Sequence, residues 1–140
     1  MEIEIIDPEP GLDTDLIELC VKQVFSGERK TPDYINVVFL NRDDLRLLKK
    51  EYFNLDVYTD VVAFNLNEPG DAIEGEIYLS HEQIKENATA FDTKPQEELF
   101  RVLIHGCLHL CDYEDETEEL KQEMTKLENK YLELVGIVKS

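Results

Sequence analysis

Residues 99–111 read Leu99-Phe100-Arg101-Val102-Leu103-Ile104-His105-Gly106-Cys107-Leu108-His109-Leu110-Cys111, and this stretch decides the fold. Wound as a helix, it carries apolar side chains on almost every side: Leu99, Phe100, Val102, Leu103, Ile104, Leu108 and Leu110. A helix apolar all round is a buried one, so the rest of the chain must wrap it. Pro95 suits a helix start, which predicts a helix from Gln96 to about Leu110. On that helix His105 and His109 lie about 40° apart in azimuth and ~6 Å apart along the axis. Both imidazoles can then reach one metal ion; spacing alone also allows two core histidines. Asp115 follows six residues after His109, far enough for the chain to leave the helix and fold back with a third ligand. Three protein ligands leave a tetrahedral ion one open position, the layout of a catalytic zinc site rather than a closed structural one.

Gly106 stands where the zinc-protease pattern H-E-x-x-H places its general base. No side chain in the motif replaces that carboxylate, so the catalytic acid and base are unassigned and the ion's own water is expected to serve. Cys107 and Cys111 each sit roughly 200° from the histidine two positions before them, facing away, and are expected in the core.

Downstream, six of the eight residues from Asp112 to Glu119 are acidic. This run suits a solvated helix N-terminus, where negative charge favours the dipole. Asp115, with Glu118, is therefore also readable as a cap of the last helix, and Glu114 and Asp112 are alternatives as third ligand. That last helix spaces Leu120, Met124, Leu127, Tyr131 and Leu134 by four and three, an amphipathic stripe.

Upstream, Glu2–Ile6 alternates as a strand and is broken by Pro8, Pro10 and Gly11. Asp13 or Thr14 caps a helix carrying Leu16, Leu19, Cys20 and Val24, ending near Gly27. Tyr34–Leu40 reads as a central strand. Asp43 and Asp44 open a short helix with Leu45, Leu48 and Tyr52. Val61–Leu66 and Ile73–Leu79 are two more strands, joined by a turn over Asn67–Asp71. Ser80-His81-Glu82-Gln83 has the pattern of a capping box. The sum is an α+β domain: a single mixed sheet of about four strands packed with about five helices, residues 1–140 forming one domain.

The 140-residue length suits one domain, and such a chain buries about two-thirds of its unfolded surface. A net charge of −18 argues against a generic basic nucleic-acid coat, though not against a local basic cleft. No stretch approaches the ~20 apolar residues of a membrane span, and the N-terminus lacks a signal peptide's pattern. Three cysteines without scaffold spacing suit a reducing compartment, and the expected location is cytoplasmic.

The motif resembles that of the YbeY family of bacterial single-strand endoribonucleases. The family pattern H-G-x-L-H-L-x-G-Y-D-H is matched by His105, Gly106, Leu108, His109, Leu110 and Tyr113. Thr59-Asp60-Val61-Val62-Ala63-Phe64 resembles its T-D-V-L-S-F strand, and Gly75-Glu76-Ile77-Tyr78-Leu79-Ser80 its G-D-I-x-I-S strand. Order and spacing agree from about Leu40 to Met124. Three positions depart: Asp115 stands for the family's third histidine, Asp112 for a glycine in a turn, and Phe53 for an arginine suited to phosphate. The resemblance implies a single metal-dependent hydrolase domain with one zinc ion on His105, His109 and Asp115. It implies cleavage of single-stranded RNA in 3′-end maturation of small-subunit ribosomal RNA and in ribosome quality control. Partners would be that RNA and ribosomal proteins, with no membrane, and the protein a monomer. Lys49, Lys50 and Arg101 are candidate phosphate contacts; Asp60 and Glu76 are candidates to orient the imidazoles. The competing reading is a non-catalytic ribosome-assembly factor with a structural metal site, favoured by Phe53. Another metal-dependent hydrolase would need a general base the sequence does not offer.

Overall fold

A computed structural model describes residues 1–138. The chain runs β1 (Glu2–Ile6), α1 (Thr14–Gly27), β2 (Tyr34–Phe39), α2 (Arg42–Phe53), β3 (Val61–Asn65), β4 (Glu74–Leu79), α3 (His81–Ala90), α4 (Pro95–Leu110) and α5 (Glu118–Leu134). The four strands form one sheet in the order β1-β2-β4-β3. β1, β2 and β4 are parallel, and β3 returns antiparallel to β4, which makes the sheet mixed. This is the α+β architecture, with four strands and five helices among the described residues.

Helix α4 is the hub. Leu99, Phe100, Leu103, Ile104, Cys107 and Leu108 are all buried, and α4 packs against α1, α3, α5, β3 and β4. Two glycines set how close it comes to the sheet. A Cβ on Gly106 would lie 2.9 Å from Ile77 Cγ2, and one on Gly75 of β4 would lie 2.6 Å from Leu110 Cδ1. Position 106 therefore has no room for a glutamate: the missing general base is a packing requirement. Cys20, Cys107 and Cys111 are buried as expected, and burial pushes the Cys20 and Cys111 thiols up to about 12, so they stay protonated.

Asp43 and Asp44 fill the first turn of α2 as expected, and the cap is Asn41, whose Oδ1 accepts from the Asp44 N–H at 2.8 Å. Several local expectations are corrected. Ser80 caps α3 through its hydroxyl, but the reciprocal half of the capping box is absent. The Ser80 N–H instead donates to the Asp60 carbonyl at 3.1 Å, and Gln83 turns to Asn87. Leu19, Tyr52 and Leu134 lie exposed at the margins of their helices. In α5 the buried set is Met124, Glu128, Tyr131 and Leu132, so a glutamate occupies the core-facing stripe.

Candidate metal centre

Buried packing fixes α4, and α4 fixes His105 and His109. Their Nε2 atoms stand 2.9 Å apart. Beyond Leu110 the chain turns sharply at Asp112, whose φ of 72° is left-handed as its place in the turn requires. The Asp112 N–H donates to the His109 carbonyl and the Tyr113 N–H to the Leu108 carbonyl, closing the helix end. This turn brings Asp115 back over the histidines. Its Oδ2 lies 3.3 Å from His105 Nε2 and 3.8 Å from His109 Nε2. Thr117, not Asp115, caps α5 by accepting from the Leu120 N–H, so the Asp115 carboxylate is left for the histidines.

Distances of 2.9, 3.3 and 3.8 Å bracket the edge of about 3.3 Å expected of a tetrahedron with ~2.05 Å metal–ligand bonds. Among the described residues no other group of three His, Cys, Asp or Glu side chains converges within 4.8 Å. Glu114 and Asp112 stay outside the cluster.

The ring partners fit the same purpose. His105 Nδ1 meets Glu128 Oε2 at 2.7 Å, and His109 Nδ1 meets the Tyr113 carbonyl at 2.9 Å. Both partners are acceptors, so each Nδ1 carries the proton and each Nε2 presents a lone pair. Two lone pairs 2.9 Å apart repel unless a proton or a metal ion lies between them. The donor chemistry, two imidazoles and one carboxylate, suits a zinc-class ion.

Glu128 is the residue that sequence reading missed. It is buried, holds His105 by one oxygen and takes Arg101 Nη1 at 3.2 Å on the other. Asp60 and Glu76, the expected orienting groups, do not hold the rings. Asp60 accepts from Asn87 at 3.1 Å, and Glu76 from the Tyr78 hydroxyl at 3.0 Å. The available signal was position: Glu128 lies four residues after Met124 and three before Tyr131, on the apolar stripe itself.

The two imidazoles titrate in opposite directions. Burial lowers the pKa of His105, but its hydrogen bond to Glu128 and the charges of Glu128, Asp115 and Asp60 outweigh this and raise it overall. His109 is lowered by burial and by the neighbouring His105, against the opposing pull of Asp115.

Two recesses flank the convergence point. Asp60, Val61, Glu98, Arg101 and Met124 line the one beside His105 and Asp115. Lys49, Phe53, Ala63 and Tyr113 line the one beside His109. Of the candidate phosphate contacts, Lys49 and Arg101 thus face the site, though Arg101 is engaged by Glu128 and Asn129; Lys50 lines neither recess. Phe53 also faces the site, stacked on Phe64 with centroids 5.6 Å apart. A larger recess, about 680 Å³, lies at the β3–β4 turn by Arg29 and Lys30 and holds none of the three convergent residues. Among the described residues no helix is long and apolar enough to cross a membrane.

Comparison with known proteins gives a consistent picture. The model of the family described as endoribonuclease YbeY matches residues 7–136. The endoribonuclease YbeY of Flavobacterium psychrophilum is 39% identical over 117 residues, 84% of this chain and 83% of that one. That of Christiangramia forsetii is 37% identical over 117 residues, covering 84% and 81%. The solution structure of Thermotoga maritima TM1509 superposes with a TM-score of 0.67 at 29% identity, covering 95% of this chain and 88% of that one.

Proposed function

The chain belongs to the YbeY endoribonuclease family, and from that premise we propose that it is a zinc-dependent endoribonuclease cutting single-stranded RNA. Its place is 3′-end maturation of small-subunit ribosomal RNA and ribosome quality control, as a cytoplasmic, single-domain monomer spanning residues 1–140 that meets ribosomal proteins. The observation that carries the reading is the convergence of His105 Nε2, His109 Nε2 and Asp115 Oδ2 within 4.8 Å, with both Nδ1 atoms tied to acceptors. A zinc-class ion there supplies Lewis-acid polarisation of a phosphoryl oxygen and activation of water.

The chain's own residues do the rest. Glu128 and the Tyr113 carbonyl fix the tautomer and direction of the two imidazoles. Lys49 faces the His109 recess, where its ammonium attracts a phosphate. Phe53, backed by Phe64, offers an aromatic side chain beside it for an unstacked base.

Elemental analysis and RNA cleavage on one metal-defined, tag-free sample test this. About one transition-metal ion per chain, and cleavage that His109→Ala abolishes while the fold survives, are expected. A preparation that takes up no such ion at neutral pH would falsify the proposal. Phe53, and a net charge of −18 that weakens phosphate attraction, favour a second reading, a ribosome-assembly factor with a structural metal. Retained binding to ribosomal particles by a metal-loaded protein that cuts no RNA would establish that alternative. The three-ligand set argues for the enzyme, because a structural site is closed by a fourth protein ligand.

A further inference from the structure

Seven residues before His105, on the same face of α4, stands a carboxylate that the metal centre does not use. Glu98 is only 6% exposed, and among the described residues no donor reaches its side chain within hydrogen-bond distance. It lines the recess of about 310 Å³ that opens beside His105 and Asp115. Asp60 faces it from the residue before β3, Glu128 from α5, and Arg101 and Glu97 from its own helix. Arg101 directs its nitrogens at Glu128 and Asn129 instead. Burial, then the charge of Asp60, hold the Glu98 carboxyl above its ordinary range. A largely buried carboxylate with no protein donor, facing an open recess, fits a ligand that brings donors.

The walls narrow the choice. Val61, Val102 and Met124 are apolar and suit the faces of a flat ring. The acids Asp60, Glu98, Asp115 and Glu128 outnumber the cations Arg101 and Lys121 around the recess, which disfavours a phosphate there. Glu98 stands ~10 Å along the helix from His105, a spacing that a nucleotide with its phosphate at the histidines spans with its base. Of the four bases, guanine alone presents two adjacent donors, N1–H and the N2 amino group, on its pairing edge. Adenine and cytosine place an acceptor beside their amino group, and uracil flanks one N–H with two carbonyls.

We infer that this recess seats the base neighbouring the scissile phosphate and selects guanine, with Glu98 accepting from N1–H and the N2 amino group. The inference rests on the metal centre acting on RNA, but its test does not depend on cleavage. Guanosine, inosine, adenosine, cytidine and uridine 5′-monophosphates are titrated into the zinc-loaded protein and followed by NMR. Guanosine monophosphate binds roughly 10-fold or more tighter than the adenosine, cytidine and uridine nucleotides, as expected for a bidentate contact. Inosine monophosphate, which lacks the N2 amino group, falls between, and the shifts centre on Glu98 and Val102. The isosteric Glu98→Gln, checked for an unchanged fold by its thermal midpoint, loses the preference.

Equal binding of all five nucleotides, no binding at all, or a guanine preference that survives Glu98→Gln overturns the inference. Cleavage of short single-stranded RNAs separates it from the nuclease reading. Metal-dependent cutting indifferent to guanine leaves the nuclease standing and sinks the base pocket. Guanine selectivity lost in Glu98→Gln, in a protein that cuts no RNA, supports the pocket and sinks the nuclease.

Discussion

Glu28 holds the turn after α4 and Glu128 holds α4 itself, and they are used in opposite ways. Glu28, just past α1, accepts the Tyr113 hydroxyl at 2.6 Å on one oxygen and the Tyr131 hydroxyl on the other. Glu128, on α5, accepts His105 Nδ1 and Arg101 Nη1. Phenols donate but stay neutral near pH 7, so Glu28 ties the turn after α4 to α1 and α5 without touching any group that titrates there. An imidazole changes its charge, so Glu128 bears on a group that titrates near neutral pH. The role of a carboxylate here follows from what donates to it rather than from its burial.

That contrast can be broken by experiment. His105→Ala is the most severe change. It removes one of three converging donors, and metal affinity, measured by chelator competition, should fall by more than the about 10–100-fold typical of an outer partner. Next comes the tyrosine hub. A Cβ on Gly27 would sit 2.3 Å from Tyr131 Oη, so Gly27→Ala must displace the ring from Glu28. A loss of roughly 2–4 kcal/mol in urea unfolding is expected, and Tyr131→Phe should cost about 1.5–3 kcal/mol. Both should leave zinc affinity of the folded protein nearly unchanged; a parallel drop in affinity would show that the two hubs are one.

Glu128→Gln should do the reverse, costing about 10–100-fold in zinc affinity at neutral pH with a small effect on unfolding. Its pH signature fixes the sign. Protons compete with the metal for His105, whose pKa is raised above 6.5, so affinity in the parent begins to fall above pH 6.5 as the solution is acidified. Glu128→Gln removes the carboxylate that raises it and moves that onset downward; an onset that does not move refutes the assignment.

The alkaline side probes Glu28. The hydrogen bond to Glu28, with burial, raises the Tyr113 hydroxyl from 10.0 to about 12. A raised folded-state pKa gives stability that is complete below pH 10 and lost as pH rises through 12. Tyr113→Phe should flatten the unfolding profile in that window. Phe53→Arg is the mildest change: a cation beside Lys49 and His109 should speed RNA cleavage by up to roughly 10-fold, about 1.4 kcal/mol. A slower Phe53→Arg would show that the aromatic face, not charge, positions the substrate.

Much of this was legible in the chain. Helix α4 announces itself because it is apolar on almost every side, and its two histidines inherit their alignment from the helical repeat. Asp115 was legible only as one of a run of acids; it took the left-handed turn at Asp112 and the capping of α5 by Thr117 to single it out. Glu128 was hidden because it lies 23 residues from His105, on a helix whose buried stripe is signalled by its apolar residues. Gly106 signalled only a missing carboxylate; its close approach to Ile77 depends on how the sheet meets α4. The half-formed capping box at Ser80 failed for a similar reason, since a carbonyl from another segment claimed the N–H a local rule reserved.

The split origin of the three converging side chains bears on how such a site diverges. His105 and His109 are half-buried, and their direction is set by a helix whose remaining faces are packed in the core. Asp115 stands on the turn outside, 38% exposed, with Tyr113 pinning the backbone two residues earlier. Selection can thus swap the third donor, histidine in the family pattern and aspartate here, without re-solving the interior. Descendants of one scaffold can drift in metal preference through a single codon while the fold that presents the metal is inherited intact.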